Sequence, residues 1–282
     1  MVAPLETLAQ IAERFGAIVL DQWGVLHNGT QAYPGAIAAL EALKARGTRL
    51  AVLSNSGKRA APNAARIAAM GFQPSLFEAV MTSGEALWQD IHNGHIPVRQ
   101  LYAVESSPGD AADWAQGLSI GFVDQPDAAD ALLLMGLPDG VAASDYADIL
   151  AMAVARNMPI YCTNPDRASP RAGGVTVVSP GVLAYAAVDQ GAQVVFYGKP
   201  HRPIFRALET QLNLPSRALL MVGDSLEHDI AGGAEAGWST AFIRGGLHAK
   251  AFSNGAPIED TLRQLAQADA APMPTYTLSE LE

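Results

Sequence analysis

Polar side chains with catalytic potential closely follow short apolar runs in this sequence. The runs are typical of buried parallel strands, and the polar residues behind them are Asp21 (after 17–20), Ser54 and Asn55 (after 50–53), Lys199 (after 194–197) and Asp224 (after 218–222). Asp229 adds another carboxylate five residues past Asp224. Because the carboxyl ends of parallel strands lie at one sheet edge, where ligands bind, we expect these side chains to share one crevice.

This set of side chains can bind a metal ion and a phosphoryl group together. Three carboxylates in one crevice repel each other, so a proton or a cation must compensate their charge. Oxygen ligands favour Mg²⁺, which commonly acts beside phosphates, and Lys199, Ser54 and Asn55 can donate hydrogen bonds to phosphoryl oxygens. Asp21, ionised at neutral pH, can attack phosphorus as a nucleophile. The residues therefore predict aspartyl-phosphate chemistry with Mg²⁺.

The elements that must position these residues follow an α/β pattern. Apolar runs alternate with Ala-rich helical stretches, and fully apolar strands indicate a parallel sheet covered on both faces. We predict a doubly wound, Rossmann-like core domain formed by residues 1–83 and 194–282. The stretch 84–193 has its own candidate strands and helices, so we predict that it is an inserted α/β cap domain that closes over the core crevice. The chain length fits roughly two domains.

The composition excludes several classes of protein. Hydrophobic residues make up 49% of the chain and charged residues 16%, which excludes a disordered protein and supplies a large core. The net charge is −10 and the sequence shows no basic patch. Because an acidic surface repels a phosphate backbone, we expect no nucleic-acid partner.

The sequence also predicts a cytoplasmic protein without a membrane partner. Its longest strongly apolar stretch, 131–137, is much shorter than the ~20 residues of a membrane span. The N-terminus carries Glu6 and Glu13 and lacks the layout of a secretory signal. The single cysteine, Cys162, cannot form a disulfide within the chain, and we interpret it as a buried, unreactive residue.

Four ordered motifs resemble those of the haloacid dehalogenase superfamily. They are Asp21-Gln22-Trp23-Gly24-Val25-Leu26, Ser54-Asn55, Gly198-Lys199-Pro200 and Gly223-Asp224-Ser225-Leu226-Glu227-His228-Asp229-Ile230. The segment Cys162-Thr163-Asn164-Pro165-Asp166 resembles the class IIA branch, which contains phosphatases of sugar phosphates, nucleotides, p-nitrophenyl phosphate and pyridoxal phosphate. The resemblance extends from Ala17 to about Leu262.

The resemblance implies a phosphatase-like hydrolase that acts on a small phosphorylated metabolite, with Mg²⁺ as its cofactor. Its catalytic residues would be Asp21, as nucleophile, and Lys199. The metal ligands would be Asp21, the backbone carbonyl of Trp23, Asp224 and Asp229. The substrate- and phosphate-binding residues would be Ser54, Asn55, Lys199, Asn164 and Asp166. Because relatives often pair through the cap, the resemblance also predicts a homodimer.

The first motif departs from the phosphatase pattern at Trp23. Phosphatases of this family carry a second Asp at that position, which protonates the leaving group and later activates water. An indole has no proton that titrates near neutral pH, so Trp23 cannot replace this carboxylate. His27 and His201 are candidate substitutes because histidine titrates near pH 6.5, although a solvated or core-packed histidine is the simpler interpretation of each.

Three functions therefore stay open at this point. The first is a phosphatase for a substrate with a good leaving group. The second is another hydrolase on the same scaffold, which cleaves carbon–phosphorus or carbon–halogen bonds. A dehalogenase needs no Mg²⁺, so the intact pair Asp224 and Asp229 argues against that activity. Known carbon–phosphorus hydrolases use a lysine of the cap, and no lysine occurs from Thr82 to Phe196, so the cap cannot supply one. The third is a catalytically weak protein that binds a phosphorylated ligand.

Overall fold

The computed structural model describes residues 2–170, 176–253 and 255–281. The chain divides into two compact units. The first unit consists of Met1–Ser54, Ala64–Met81 and Lys199–Glu282, and the second of Asn55–Asn63 and Thr82–Gly198. The domain limits expected from the sequence, at 84 and 193, stay a prediction.

Strands and helices alternate along most of the chain. In chain order, the strands of the described residues are β1 (Ala3–Pro4), β2 (Ala17–Leu20), β3 (Leu50–Ser54), β4 (Ala79–Thr82), β5 (Gln100–Val104), β6 (Gly121–Phe122), β7 (Ala131–Leu134), β8 (Ile160–Cys162), β9 (Ala168–Pro170), β10 (Thr176–Val178), β11 (Val194–Phe196), β12 (Leu219–Gly223), β13 (Ser239–Ile243) and β14 (Tyr276–Leu278). The α-helices there are α1 (Ala36–Ala45), α2 (Ala60–Ala69), α3 (Ser83–His92), α4 (Asp110–Trp114), α5 (Ala147–Ala155), α6 (Gly181–Asp189), α7 (Arg202–Leu212), α8 (Ala231–Glu235) and α9 (Ile258–Ala268).

The first unit is built on a seven-stranded sheet with the order β1-β14-β13-β12-β2-β3-β4. Strand β2 pairs in parallel with β12 on one side and with β3 on the other. Every residue of β2 and of β12 is buried, as expected for parallel strands covered on both faces. The chain proceeds outward from β2 through β3 and β4 and later returns to β12 on the opposite side. The edge beside β2 is therefore a topological switch point, where sheets of this kind bind ligands.

Helix α1 shows how the sequence pattern produces this packing. Leu40 and Leu43 of α1 are buried in one core cluster together with Ile18 and Leu20 of β2. Burial of each such side chain stabilises the fold by about 1.5–3 kcal/mol. One face of α1 therefore packs against β2, the strand that directly precedes Asp21.

The second unit contains a five-stranded sheet with the order β11-β8-β7-β5-β6 and a two-stranded sheet of β9 and β10. The pairs of the larger sheet are parallel, whereas β9 and β10 are antiparallel. All four residues of β7 are buried at its centre. Both units thus have the α/β architecture predicted from the sequence. Among the described residues, no helix combines the length and apolarity needed to cross a membrane.

Two strands differ from the sequence-based expectation. The run at 194–197 was expected in the core sheet, but β11 pairs with β8 in the sheet of the second unit. Its Val195 is 41% exposed, as on a sheet edge. A short apolar run indicates burial but does not specify its partner, so it could not reveal that Lys199 follows a strand of a different sheet. From the sequence, the tail after residue 270 is expected either to add an edge strand at 276–278 or to lie on the surface. Strand β14 forms there, and β1 pairs with it on its outer side, so β14 is not at the edge.

Candidate active site

The carboxyl ends of β2 and β12 place two carboxylates on neighbouring strands. Asp21 directly follows β2, and Asp224 directly follows β12. The backbone N–H of Asp21 donates to the carbonyl of Val222 in β12 at 2.9 Å, so the ladder between the strands continues to Asp21 itself. The sheet therefore fixes the backbone from which the Asp21 side chain emerges.

Lys199 connects two carboxylates of the site. Its side chain is buried, and Nζ donates to Oδ1 of Asp21 at 2.7 Å and to Oδ1 of Asp229 at 2.6 Å. Asp229 lies in a π-helical turn, Leu226–Ile230, that precedes α8, and its Oδ2 accepts the backbone N–H of Ser225 at 3.1 Å. The ammonium therefore holds the candidate nucleophile against a carboxylate that the turn itself keeps in place.

Asp21, Asp224 and Asp229 form one acidic cluster. Each offers a carboxylate oxygen, and these oxygens lie within 4.8 Å of one another. Among the described residues, the cation that contacts this cluster is the ammonium of Lys199. Three ionised carboxylates beside one ammonium leave an excess of two negative charges. Carboxylate oxygens are the ligands that hard divalent cations prefer, and one such cation would balance this excess.

Burial and neighbouring charges shift the pKa values of Asp224, Asp229 and Lys199. Burial, reinforced by the charges of Asp21 and Asp229, raises the pKa of Asp224 well above its usual range, although the backbone N–H of Leu247 donates to its Oδ2 at 2.7 Å. Burial also raises the pKa of Asp229 to about 6, with Lys199 opposing the shift. Burial alone would lower the pKa of Lys199, but the two carboxylates outweigh it and raise that pKa, so the ammonium stays charged.

Glycines that the sequence analysis did not single out make room for these carboxylates. A Cβ at Gly24 would lie 1.8 Å from Oδ2 of Asp224, and a Cβ at Gly246 would lie 2.3 Å from the same oxygen. A Cβ at Gly223 would lie 2.1 Å from Oδ2 of Asp229. Gly24 and Gly223 stand inside the recognised motifs, which could have indicated them, whereas Gly246 lies in the loop after β13 and no motif marks it.

The other predicted binding residues are divided between the two units. Ser54 is the last residue of β3 in the first unit, whereas Asn55, Asn164 and Asp166 belong to the second. Within the second unit, Nδ2 of Asn55 donates to Oδ1 of Asp166 at 2.7 Å, and the backbone N–H of Asp166 donates to Oδ1 of Asn164 at 3.2 Å. The structure brings these three residues together, and their role toward a ligand stays a prediction.

Neither candidate histidine is suited to act as the general acid that is missing at Trp23. Nδ1 of His27 accepts the backbone N–H of Gly29 at 3.1 Å, so that nitrogen is already used. Burial and the charge of Arg66 lower the pKa of His27 to about 4. Burial, together with nearby His228, lowers the pKa of His201 to about 4 as well. Both imidazoles are therefore neutral near pH 7, and neither carries the extra proton that an imidazolium acid would donate.

Two family models match this chain, and they agree with each other. The model described as haloacid dehalogenase-like hydrolase matches residues 18–112. A second model, described as HAD-hydrolase-like, matches residues 196–268. The matched segments together cover more than half of the chain and contain Asp21, Lys199 and both carboxylates of the acidic motif.

Curated relatives and solved structures extend the similarity over almost the whole chain. Chronophin from Bos taurus is 28% identical over 251 residues, which cover 85% of this chain and 84% of that protein. Glycerol-3-phosphate phosphatase from Gallus gallus is 27% identical over 270 residues, which cover 86% and 83%. The crystal structure of a haloacid dehalogenase-like hydrolase from Brucella suis 1330 superposes with a TM-score of 0.80 at 28% identity and covers 99% of this chain and all of that one. The chain therefore belongs to the haloacid dehalogenase superfamily, as a phosphatase-like hydrolase of its class IIA branch.

Proposed function

We propose that this chain removes phosphate from a small phosphorylated metabolite, with Mg²⁺ as cofactor and an aspartyl-phosphate on Asp21 as intermediate. The observation that carries the proposal is the pair of hydrogen bonds from Lys199 Nζ, at 2.7 Å to Asp21 and at 2.6 Å to Asp229. These bonds orient the nucleophilic carboxylate. They also place a permanent positive charge where a negatively charged phosphoryl group would approach.

The donor set supports Mg²⁺ as the cofactor. Asp21, Asp224 and Asp229 offer three anionic oxygens within 4.8 Å of one another. Burial, together with the charges of Asp21 and Asp229, raises the pKa of Asp224, and a bound cation would offset both effects. We propose the backbone carbonyl of Trp23 as a further ligand, from the family resemblance. When bound, Mg²⁺ would draw electron density from the phosphoryl oxygens and so weaken their repulsion of the nucleophile.

The residues of this chain would act in two steps. In the first, Asp21 attacks phosphorus, a new oxygen–phosphorus bond forms, and the bond to the leaving-group oxygen breaks with its electron pair on that oxygen. In the second, water attacks phosphorus, and the Asp21–phosphorus bond breaks to release inorganic phosphate. Lys199 stays charged throughout, and we propose that Ser54 and Asn55 donate to the non-bridging oxygens.

Trp23 determines which substrates this site can process quickly. The leaving group needs a proton in the first step, and water must lose one in the second. General acid–base catalysis contributes about 10²–10⁴-fold, and Trp23 cannot provide it. We therefore propose that phosphates with good leaving groups react fastest. Hydrolysis of the aspartyl-phosphate would be slow, because Trp23 cannot accept the proton that the attacking water loses.

Phosphate release with and without the metal tests the proposal. A set of phosphorylated metabolites is incubated with the wild type in Mg²⁺ or in EDTA, and Asp21→Asn is assayed in parallel. Asp189→Asn, which changes an exposed carboxylate at the end of α6, serves as the matched control. We expect release only with Mg²⁺ and only when Asp21 is intact. Release that persists in EDTA or in Asp21→Asn would contradict the proposal.

A second candidate function is the binding of a phosphorylated ligand with little turnover. Trp23 is the observation that favours it, because both chemical steps lack their usual proton carrier. Such a protein would bind inorganic phosphate in the presence of Mg²⁺ and would release none from any substrate. Both functions predict that inorganic phosphate binds, so the release assay separates them: only a phosphatase releases phosphate from a substrate.

The family resemblance also supports a homodimer as a proposal. Relatives often pair through the cap, and a second copy of this chain would be the partner. Light scattering on the purified protein should give the mass of two chains. A monomer at micromolar concentration would contradict this.

A further inference from the structure

We infer that Asp166 is a positioning residue, which orients Asn55 for the phosphoryl group. This inference rests on the proposed function, in which Asn55 donates to a phosphoryl oxygen. The family resemblance assigned Asp166 itself to substrate binding. An ionised carboxylate only accepts hydrogen bonds and repels phosphate, so a role through Asn55 suits its chemistry better.

The contact between the two side chains determines how the Asn55 amide is oriented. Nδ2 of Asn55 donates to Oδ1 of Asp166 at 2.7 Å, which is short, as expected for a bond to a charged acceptor. Because a carboxylate cannot donate, the NH₂ end of the amide must face Asp166. The amide is planar, so one fixed N–H also fixes the direction of the second N–H on the same nitrogen. Asp166 therefore aims the donor that we assign to the phosphoryl group.

The turn that carries Asp166 is itself held firmly in the second unit. The carbonyl of Asp166 accepts the backbone N–H of Gly181, the first residue of α6, at 3.0 Å. A Cβ at Gly181 would lie 2.1 Å from the carbonyl oxygen of Pro165, so the helix approaches the turn as closely as its backbone allows. Asn164 accepts the backbone N–H of Asp166 through Oδ1. The Asp166 carboxylate thus projects from a turn that is hydrogen-bonded to the first residue of α6 and packs closely against it.

The same turn also contacts the segment that leads to Lys199. A Cβ at Gly198 would lie 2.4 Å from Cδ of Pro165 and 2.8 Å from Oδ1 of Asn55. Asn55 follows Ser54 in the sequence, and Gly198 precedes Lys199. The turn that carries Asp166 therefore packs against Asn55 and Gly198, which are the sequence neighbours of Ser54 and Lys199.

A double-mutant cycle tests whether Asp166 acts through Asn55. The variants are Asp166→Ala, Asn55→Ala and the combination, and the probes are inorganic phosphate with Mg²⁺ by calorimetry and KM and kcat for p-nitrophenyl phosphate. Asp166→Ala should weaken phosphate binding by roughly tenfold, since a hydrogen bond to a charged group contributes about that factor or more. KM should rise by a similar factor. In the Asn55→Ala background, Asp166→Ala should have no further effect.

Three further variants separate positioning from a merely structural role. Asp166→Asn retains an acceptor oxygen and should keep most of the phosphate affinity. Asp166→Ser is too short to reach Asn55 and should reproduce Asp166→Ala, which supplies a second cycle if the alanine variant misfolds. Asp189→Ala, an exposed carboxylate of the same unit, should bind phosphate as the wild type does.

Two results would overturn the inference while leaving the proposed function intact. One is phosphate binding with the same affinity in the wild type and in Asp166→Ala. The other is an equal loss from Asp166→Ala in the wild type and in Asn55→Ala. A wild type that binds no phosphate and releases none would overturn the proposed function, and this inference with it.

Discussion

The Lys199 ammonium and the Asp229 carboxylate form a buried ion pair, with Nζ and Oδ1 2.6 Å apart and exposed fractions of 2% and 0%. A buried charge is strongly destabilising unless it is paired and hydrogen-bonded, so each group depends on the other. Lys199 also bonds Asp21, and this second bond places the candidate nucleophile in the same network. The pair therefore links the stability of the first unit to the chemistry proposed for it.

Removal of the ammonium should both destabilise the protein and abolish its activity. Lys199→Met leaves Asp21 and Asp229 without their cation, and breaking a buried pair in this way costs about 3–5 kcal/mol. The free energy of unfolding, measured with denaturant in the absence of Mg²⁺, should fall by that amount. Lys44→Met, at an exposed position of α1, should change it by less than about 0.5 kcal/mol. A Lys199→Met protein as stable as the wild type would show that the pair is not what holds these carboxylates.

The acidic cluster should bind Mg²⁺ through Asp224. Asp224→Ala removes one of three anionic ligands, and ligand charge sets the affinity for a hard cation, so Mg²⁺ should bind roughly tenfold more weakly or worse. Calorimetric titration of the two proteins measures the difference. Glu41→Ala, an exposed carboxylate on α1, is the control. Equal affinity in Asp224→Ala and the wild type would mean that the cation binds elsewhere.

The sequence allowed part of the site to be predicted, for a physical reason. Asp21 and Asp224 follow apolar runs that are fully buried in the structure, and parallel strands place such residues at one edge of a sheet. The position of Lys199 was expected at the end of a core strand, yet β11 belongs to the other sheet. The pairing of a short apolar run depends on distant residues, so local pattern could not reveal it.

Close approaches in space were also beyond the reach of the pattern. Gly246 must be a glycine because Asp224 lies where its Cβ would be, and nothing in the residues around it shows this. The bond from Asn55 to Asp166 joins residues that are 111 positions apart. Both contacts depend on how separate segments of the chain pack, and no local sequence pattern predicts either of them.

Restoring the missing carboxylate should speed the hydrolysis of alkyl phosphates. Trp23→Asp supplies a group that can protonate a poor leaving group, and it should recover part of the ~10²–10⁴-fold that general acid catalysis contributes. Aryl phosphates need less help, so the ratio of aryl to alkyl rates should fall. Rates on p-nitrophenyl phosphate and a sugar phosphate measure this ratio.

Trp23→Asn is the matched control for Trp23→Asp, because an asparagine side chain is similar to aspartate in size and polarity but has no titratable proton. It should leave the ratio of aryl to alkyl rates as high as in the wild type. If the wild type already hydrolyses alkyl phosphates at about 10 per second, as typical enzymes do, another acid must be present and the role assigned to Trp23 is wrong.

Cys162 should be unreactive in the folded protein. Burial raises the pKa of its thiol to about 12, and Sγ donates to the carbonyl of Asn164 at 3.3 Å. At pH 8 the thiol is therefore protonated, and only the thiolate reacts with iodoacetamide. Mass spectrometry should find no label on the native protein and complete labelling after unfolding in urea. Rapid labelling of the native protein would contradict the burial of this side chain.

The aspartyl-phosphate on Asp21 is the intermediate on which the proposed function depends, and it can be trapped. The wild type is mixed with p-nitrophenyl phosphate and Mg²⁺, quenched in acid within the first turnovers, and examined by intact mass and peptide mapping. Because water attack lacks its usual base, one phosphoryl group should accumulate on Asp21. It should be absent from Asp21→Asn and decay faster in Trp23→Asp. Release of p-nitrophenol with no phosphoryl group on the protein, or with the group on another residue, would contradict the mechanism.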